Sequence, residues 1–374
     1  MRTTRLMFGA AAVALALTAT LVAQSQATRG APTPRPAAAA QAKPAVNPRT
    51  VDGHPDLQGI YDIATLTPLE RPPMFGNNLT LTRQQAERLE GQVANRKEQA
   101  SLPSDGNRAA PPIGGDGSSG AAGNVGGYNN FWIDAGSRYT VIDGQRRASL
   151  VIDPPDGRVP QMTPEARQRF ARNIRPTSDQ SAREDDPGFE GGGAYDDPER
   201  RPLGERCLMG FGSTSGPPVL PNYFYNNLHQ IVQTKDSVLI LTEMVHDARV
   251  VRIGGTHLPK TIRKWLGDSI GHWEGDTLVV ETTNFSDNTR FMGSTGELRV
   301  VERFTRVDAK TLRYQFTVED PKTWTRPWTA EYTWPLTNDL LYEYACHEGN
   351  YAMGNILRGA RLKEKNEASK SRQQ

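Results

Sequence analysis

The sequence has no excess of charge of either sign. Its 374 residues include 44 Lys and Arg against 42 Asp and Glu, which gives a formal net charge of +2. Nucleic-acid-binding tails are strongly basic and acidic disordered chains are strongly negative, so both classes are excluded. We therefore predict a folded protein with no nucleic-acid partner.

Long hydrophobic runs are missing beyond the amino terminus. Arg2 and Arg5 precede an apolar run from Leu6 to Ala23, and Ser25-Gln26-Ala27 offers small residues for signal-peptidase cleavage. This pattern predicts a signal peptide and a periplasmic or secreted protein, with an uncleaved membrane anchor as the alternative. No later segment is apolar enough to span a bilayer, so no stable membrane insertion is predicted after signal cleavage.

Cysteine is nearly absent, since Cys207 and Cys346 are the only two. They lack the closely spaced Cys or His partners that a structural zinc site needs. In an oxidising compartment they are the only pair available for a disulfide bond. We predict this bond, with two buried thiols as the alternative. From the entropy of the loop that it closes, the bond should stabilise the folded protein by about 5 kcal/mol.

The sequence also lacks a glycine-rich phosphate loop between a strand and a helix, so no nucleotide site is predicted. One segment, Gly267-Asp268-Ser269-Ile270-Gly271, matches the G-x-S-x-G pattern of serine hydrolases. The nucleophile of those enzymes lies between a buried strand and a helix, whereas a mixed polar segment and a hairpin flank Ser269. We interpret the segment as a β-turn.

Glycine and proline are abundant, at 35 and 27 residues, which predicts long irregular loops. Thr82 predicts a helix that continues to about Ala100, and Thr163-Pro164-Glu165 predicts a second that continues to about Asn173. Composition divides the chain into a signal peptide (1–27), a flexible Ala/Pro linker (28–50), a loop-rich part with short strands and two helices (51–203), an antiparallel β core (204–362) and a disordered tail (363–374).

Alternation of apolar and polar residues dominates the β core. From Leu312 to Glu319 every second residue is apolar, which is typical of a half-buried antiparallel strand. Similar segments predict three hairpins (238–245 with 250–253, 272–273 with 277–282, 300–307 with 312–319) and single strands at 56–61, 128–133, 148–152, 231–234, 329–334 and 340–344. We predict a mainly β fold, an antiparallel β-barrel or sandwich with two short helices and long irregular loops.

The end of one predicted hairpin combines an acid, an imidazole and a guanidinium group. Glu243, His246 and Asp247 are candidate catalytic residues there, and Arg249 is a candidate substrate-binding residue. Loops on rigid strands commonly carry functional side chains. The alternative is a solvated ion-pair cluster around a turn.

A second polar segment follows Cys346. His347 and Glu348 are candidate catalytic residues, and Asn350 and Tyr351 are candidate substrate-binding residues. A disulfide at Cys346 would fix this backbone, which suits groups that must lie within hydrogen-bond reach of a proton. In the alternative interpretation, Glu348 and Asn350 cap a strand end and His347 is structural.

Aromatic residues complete the candidate set. His272, Trp273, Trp324 and Trp328 are further candidate substrate-binding residues, because tryptophans near charged groups can stack on a sugar or an aromatic ring. Core packing is the alternative for these tryptophans.

No cofactor is predicted. His246 and His347, together with Glu348 or Asp247, are the residues that could hold a divalent metal ion. No H-x-H, H-x-x-x-H or H-E-x-x-H spacing exists, so this metal site is only an alternative.

Four strings resemble an uncharacterised family of exported bacterial proteins: IVQT (231–234), LTEMVHDAR (241–249), GDSIGHWEGDTLVVETTNF (267–285) and YACHEGNY (344–351). The resemblance covers most of the chain from about Asp52 to Arg361. It implies a secreted or periplasmic protein of unassigned activity. Residues 57–61 (LQGIY) also resemble the G-x-W opening of lipocalin-like barrels, with Tyr61 in place of the tryptophan.

The leading hypothesis is a hydrolase or lyase that acts on a small glycan-like or aromatic compound by carboxylate and histidine acid–base chemistry. The alternative is a lipocalin-like, non-catalytic binding protein whose partner is a small-molecule ligand, and a third hypothesis is a surface interaction module. The first two require the segments around residues 246 and 347 to line one concavity.

Overall fold

The β-rich half of the sequence forms a closed barrel. The computed structural model describes residues 47–102, 107, 133–174, 195–210, 216–221, 225–288 and 291–372. Its strands are β1 (Gly59–Asp62), β2 (Thr80–Leu81), β3 (Val141–Ile142), β4 (Gln145–Arg147), β5 (Val151–Asp153), β6 (Leu228–Gln233), β7 (Ser237–Thr242), β8 (Ala248–Ile253), β9 (Asp268–Glu274), β10 (Thr277–Thr283), β11 (Arg299–Asp308), β12 (Thr311–Glu319) and β13 (Trp328–Thr337). The helices are α1 (Arg83–Ala100), α2 (Pro164–Ile174) and α3 (Tyr351–Ser371).

The barrel has nine strands, in the order β1-β6-β7-β8-β9-β10-β11-β12-β13, and β13 pairs back to β1. Closure removes the exposed sheet edges that an open sandwich would leave. Strand β5 adds to β13, and β2, β4 and β3 form a small separate sheet. The predicted mainly β fold is confirmed, and of the two predicted architectures the structure has the barrel.

Neighbouring barrel strands are antiparallel except β8 and β9, which run parallel. A parallel pair needs a long connection, and residues 254–267 supply it. The buried carboxylate of Asp268 fixes this connection: it accepts hydrogen bonds from Arg252 Nη1 (2.8 Å) and from the backbone N–H of Leu258 (2.9 Å). The bond from Arg252 is the main cause that lowers the pKa of Asp268 well below its usual value.

Alternating side chains of β11 and β12 fill the barrel interior, as the period of two predicts. On β12 the inward residues Leu312, Tyr314, Phe316 and Val318 are fully buried. Rings of Phe304, Tyr332, Trp328 and Trp334 pack around them at centroid distances of 4.8–5.7 Å. The interior is therefore a packed aromatic core.

The segment 216–221 also enters this core. The backbone N–H of Val219 donates to Tyr314 Oη at 3.0 Å, and Tyr332 Oη donates to the Val219 carbonyl at 3.0 Å. Val219 itself is fully buried. The two tyrosine hydroxyls thus bind the chain's own backbone, so protein atoms occupy the middle of the barrel.

One charged network interrupts the apolar interior. Arg249 on β8 forms a bidentate pair with Glu302 on β11, with Nη1–Oε2 and Nη2–Oε1 distances of 2.5 and 2.8 Å. Tyr314 Oη donates to Glu302 Oε1 at 2.7 Å. Burial, followed by the charge of Glu302, raises the pKa of Tyr314 well above its usual value. Because Glu302 is fully buried, its charge depends on these partners for compensation.

The helix starts follow the predicted capping signals. Thr82 accepts a hydrogen bond from the backbone N–H of Gln85, and the Gln85 side chain accepts from the Thr82 backbone, which completes a capping box before α1. Thr163 Oγ1 accepts from the backbone N–H of Ala166 (3.1 Å) before α2, which begins at Pro164. Both predicted helices are confirmed.

Several boundaries differ from the prediction. Residues 340–344 are not a strand, because Leu340 and Tyr342 are 65% and 71% exposed and the backbone there joins no ladder. The predicted disordered tail is wrong as far as Ser371, because α3 extends through it after an Asn350 cap. The barrel also includes β1, which lies in the predicted loop-rich part (51–203) and not in the predicted β core (204–362).

Other predicted segments fall elsewhere. The strand predicted at 148–152 is β5, Val151–Asp153. The signal peptide, most of the linker and residues 128–132 of another predicted strand lie outside the described residues. Over the residues described, no helix is both long and apolar enough to cross a membrane.

Replacing Glu302 by Leu should destabilise the protein by about 3 to 5 kcal/mol, because Arg249 would be left buried without a counter-charge. Urea denaturation measures this free energy of unfolding. The double variant Arg249→Met/Glu302→Leu is the control, and it should recover most of the loss. A loss below about 1 kcal/mol in the single variant would contradict this role of the ion pair.

Candidate functional site

A cleft of about 700 Å³ lies between the segment that follows β13 and the first turns of α3. Its lining includes three tyrosines, two carboxylates and a methionine: Tyr225, Tyr342, Tyr344, Glu205, Glu343 and Met353. This volume is within the usual range of small-molecule sites. We call it the tyrosine cleft.

The disulfide between Cys207 and Cys346 forms part of the cleft wall, with a Cα–Cα distance of 5.7 Å. The predicted bond is confirmed, and the alternative of two free thiols is excluded. Asn350 strengthens the same junction, because its Nδ2 donates to the Glu205 carbonyl at 2.8 Å. Its Oδ1 accepts from the backbone N–H of Met353 at 3.3 Å and so caps α3.

Aromatic rings form the other part of the wall. Tyr225 and Tyr344 stack with centroids 6.4 Å apart and planes inclined by 22°. Tyr342 is 71% exposed beside them. Tyrosine combines a flat apolar face with a polar hydroxyl, so such a wall can stack on a ring and hydrogen-bond its substituents.

The hairpin end around residue 246 contacts both segments that build the cleft. Glu243 is buried, and its Oε1 accepts from the backbone N–H of Tyr342 at 3.0 Å. Asp247 Oδ2 accepts from the backbone N–H of Gly210 at 3.0 Å. These contacts reach residues beside the cleft and not the predicted segment around residue 347, and Glu243 and Asp247 are not among the cleft-lining residues.

The remaining candidate catalytic residues point outward. His246, His347 and Glu348 are exposed. Within the described chain, the side chains of His347 and Glu348 form no hydrogen bond or ion pair. The structure does not bring them into an acid–base arrangement with Glu243.

The candidate substrate-binding residues lie in three different places. Asn350 lines the cleft, while Tyr351 is 79% exposed at the start of α3. Arg249 belongs to the buried pair with Glu302. His272 is on the surface, where its Nε2 lies 3.2 Å from Glu274 Oε1.

The candidate tryptophans pack against other rings. Trp324 and Trp328 are 2% and 0% exposed and pack against Phe291 in the core. Trp273 stacks on His54 at 4.5 Å. Core packing therefore accounts for Trp324 and Trp328, and none of the three tryptophans lines the tyrosine cleft.

Ser269 lies inside β9, and its Oγ is 2.8 Å from Thr282 Oγ1 on β10. The β-turn interpretation of its G-x-S-x-G segment is wrong, because this segment pairs with β10 as a strand. No helix follows it, so the nucleophile elbow of serine hydrolases is not formed here.

Carboxylates concentrate near the hairpin end that contacts Tyr342. Burial raises the pKa of Asp62 above its usual value, and a hydrogen bond from the Ala64 backbone partly lowers it again. The negative charges of Asp134, Asp339 and Glu243 raise the pKa further. These four residues form the acidic group of this end of the barrel.

Sequence reasoning missed most of the cleft. The sequence predicts a strand at Tyr342, and Tyr225 and Met353 lie in no recognisable motif. The sequence does contain a high density of polar and aromatic residues on both sides of Cys346. This density indicates the cleft-forming segment around Cys346, but not the distant residues that form the cleft with it.

Comparisons with protein-family models, with curated proteins and with solved structures find no match for this chain. Among the residues whose positions the structure gives, no group of three or more His, Cys, Asp or Glu side chains could hold a metal ion.

The double variant Cys207→Ser/Cys346→Ser should lose up to about 5 kcal/mol of stability, because the bond closes a loop across a sequence separation of 139 residues. Thermal and urea unfolding of the variant and the oxidised wild type measure this difference. An unchanged Tm would contradict the structural role of the bond.

Asp62→Asn should stabilise the protein at pH 7. The pKa of Asp62 is raised in the folded state, so its ionised form costs stability above that pKa, and the amide removes the cost while it keeps an acceptor for Ala64. The gain in Tm should vanish at a pH low enough to protonate Asp62 in both folded and unfolded wild type. A lower Tm for the variant at pH 7 would contradict this sign.

Proposed function

We propose that the protein is an exported binding protein that holds a small aromatic or glycan-like compound in the tyrosine cleft. The observation that carries this proposal is the stacked Tyr225–Tyr344 pair in a cleft of about 700 Å³. Flat rings of this kind supply stacking surface, and the tyrosine hydroxyls supply directed polar contacts.

The packed interior supports a site outside the barrel. Lipocalin-like barrels hold one small ligand inside, but here Val219 and the surrounding aromatic rings occupy that space. A ligand of this protein would therefore bind beside the barrel, where the cleft is open.

Binding without catalysis is favoured over the hydrolase or lyase hypothesis. A general acid or base must reach the bound compound, and none of the candidate catalytic residues lines the cleft. Glu243 and Asp247 accept hydrogen bonds from backbone amides, which is a positioning role.

The disulfide supports export. Such bonds form and persist in the periplasm and outside the cell, and they are rare in reducing compartments. Membership of the uncharacterised exported bacterial family is part of the same proposal, because the strings that suggest it include both sides of Cys346.

Calorimetric titration with phenols and disaccharides tests the proposal. At least one compound should bind the wild type, and Tyr344→Ala should weaken it about tenfold, because a lost aromatic contact costs about 1 to 1.5 kcal/mol. Tyr351→Ala is the matched control, because Tyr351 is exposed beside the cleft but does not line it. The absence of binding, or an equal loss in both variants, would contradict the proposal.

A further inference from the structure

The charged side chains that line the tyrosine cleft, among the residues that the structure describes, are negative. Glu205 and Glu343 are these lining residues, and no Lys, Arg or His of the described chain is among the others. Arg201 pairs with Glu205 at 2.7 Å and offsets that charge. Glu343 is exposed and forms no ion pair with any residue that the structure describes, so its negative charge remains uncompensated at the cleft.

The tyrosine rings add to this negative potential. The face of an aromatic ring is electron-rich and attracts a cation within about 6 Å of its centroid. Tyr225 and Tyr344 stack on each other, and Tyr342, which directly precedes Glu343, donates its backbone N–H to Glu243. A cleft with several tyrosines and a free carboxylate is the arrangement that recognises ammonium groups.

A group of carboxylates lies next to one part of the cleft wall. The hydrogen bond from the Tyr342 backbone to Glu243 joins the cleft wall to the acidic group of Asp62, Asp134, Asp339 and Glu243. Lys97 lies 3.7 Å from Asp134 and offsets one of these charges.

The amino terminus of α3 opposes this negative potential, because the positive end of a helix dipole attracts anions. Asn350 accepts from the N–H of Met353, and the Gly349 carbonyl accepts from the N–H of Tyr351. These two acceptors satisfy donors of the first turn, so they reduce the attraction of this helix end for an anion.

We infer that the ligand of the tyrosine cleft is a cation, a quaternary or protonated amine carried on a small aromatic or glycan-like body. This inference rests on the proposed binding function and names its ligand class. The ammonium group lies against the tyrosine faces near Glu343, and the rest of the ligand fills the space towards Met353 and the disulfide.

A matched pair of probes tests the charge alone. The cation meta-hydroxyphenyltrimethylammonium and the neutral meta-tert-butylphenol have the same shape, because one carbon replaces the nitrogen. Calorimetric titration of the oxidised full-length protein should give about tenfold tighter binding of the cation. The preference should fall as salt concentration rises, because an exposed carboxylate contributes to it.

Variants locate the cause of the preference. Glu343→Gln should reduce the affinity for the cation about fivefold and leave that for the neutral probe unchanged. Tyr344→Leu should reduce the affinity for the cation, whereas Tyr344→Phe should keep it, because phenylalanine retains the ring face. Glu87→Gln is the control, since Glu87 lies on α1 and does not line the cleft.

The outcomes separate the inference from the proposed function. Equal binding of the two probes, with a shared loss in Tyr344→Leu, would keep the cleft as a binding site but overturn the cation. Tighter binding of the neutral probe would also overturn it. If neither probe binds and no phenol or disaccharide binds either, the proposed function fails together with the inference.

Discussion

The disulfide between Cys207 and Cys346 is the constraint on which the candidate site depends. The chain leaves the barrel after β13, and the bond returns it to a segment 139 residues earlier. Asn350 reinforces this junction from the start of α3 through its bond to Glu205. The tyrosine cleft lies at this crossing, so one covalent bond sets the positions of its wall.

The barrel itself serves as a scaffold for this crossing. Aromatic side chains, the Val219 backbone and the buried Arg249–Glu302 pair fill its interior. A buried pair of this kind adds little net stability compared with an apolar core, but the loss of one partner leaves the other charge buried without compensation. Glu243 follows the end of β7 on this barrel, and its carboxylate accepts the hydrogen bond that fixes the Tyr342 backbone beside the cleft.

Much of the fold could be predicted from the sequence, because its determinants are local. Alternation gave β12 and its inward face, and capping residues gave α1 and α2. The cleft could not be predicted, because it combines Tyr225, Glu205 and Tyr344 from distant segments that only tertiary structure joins. The partner of Glu302 could not be predicted for the same reason. The period of two places Glu302 on the buried face of β11, but only closure of the barrel brings Arg249 to its carboxylate.

Tyrosine side-chain resonances provide the most direct test of a binding cleft beside a filled barrel. In protein labelled with carbon-13 at tyrosine, titration with meta-hydroxyphenyltrimethylammonium should shift the ring signals of Tyr225, Tyr342 and Tyr344. The signals of the core residues Tyr314 and Tyr332, both fully buried, should stay in place. Shifts confined to the core tyrosines would place the ligand inside the barrel and contradict the account.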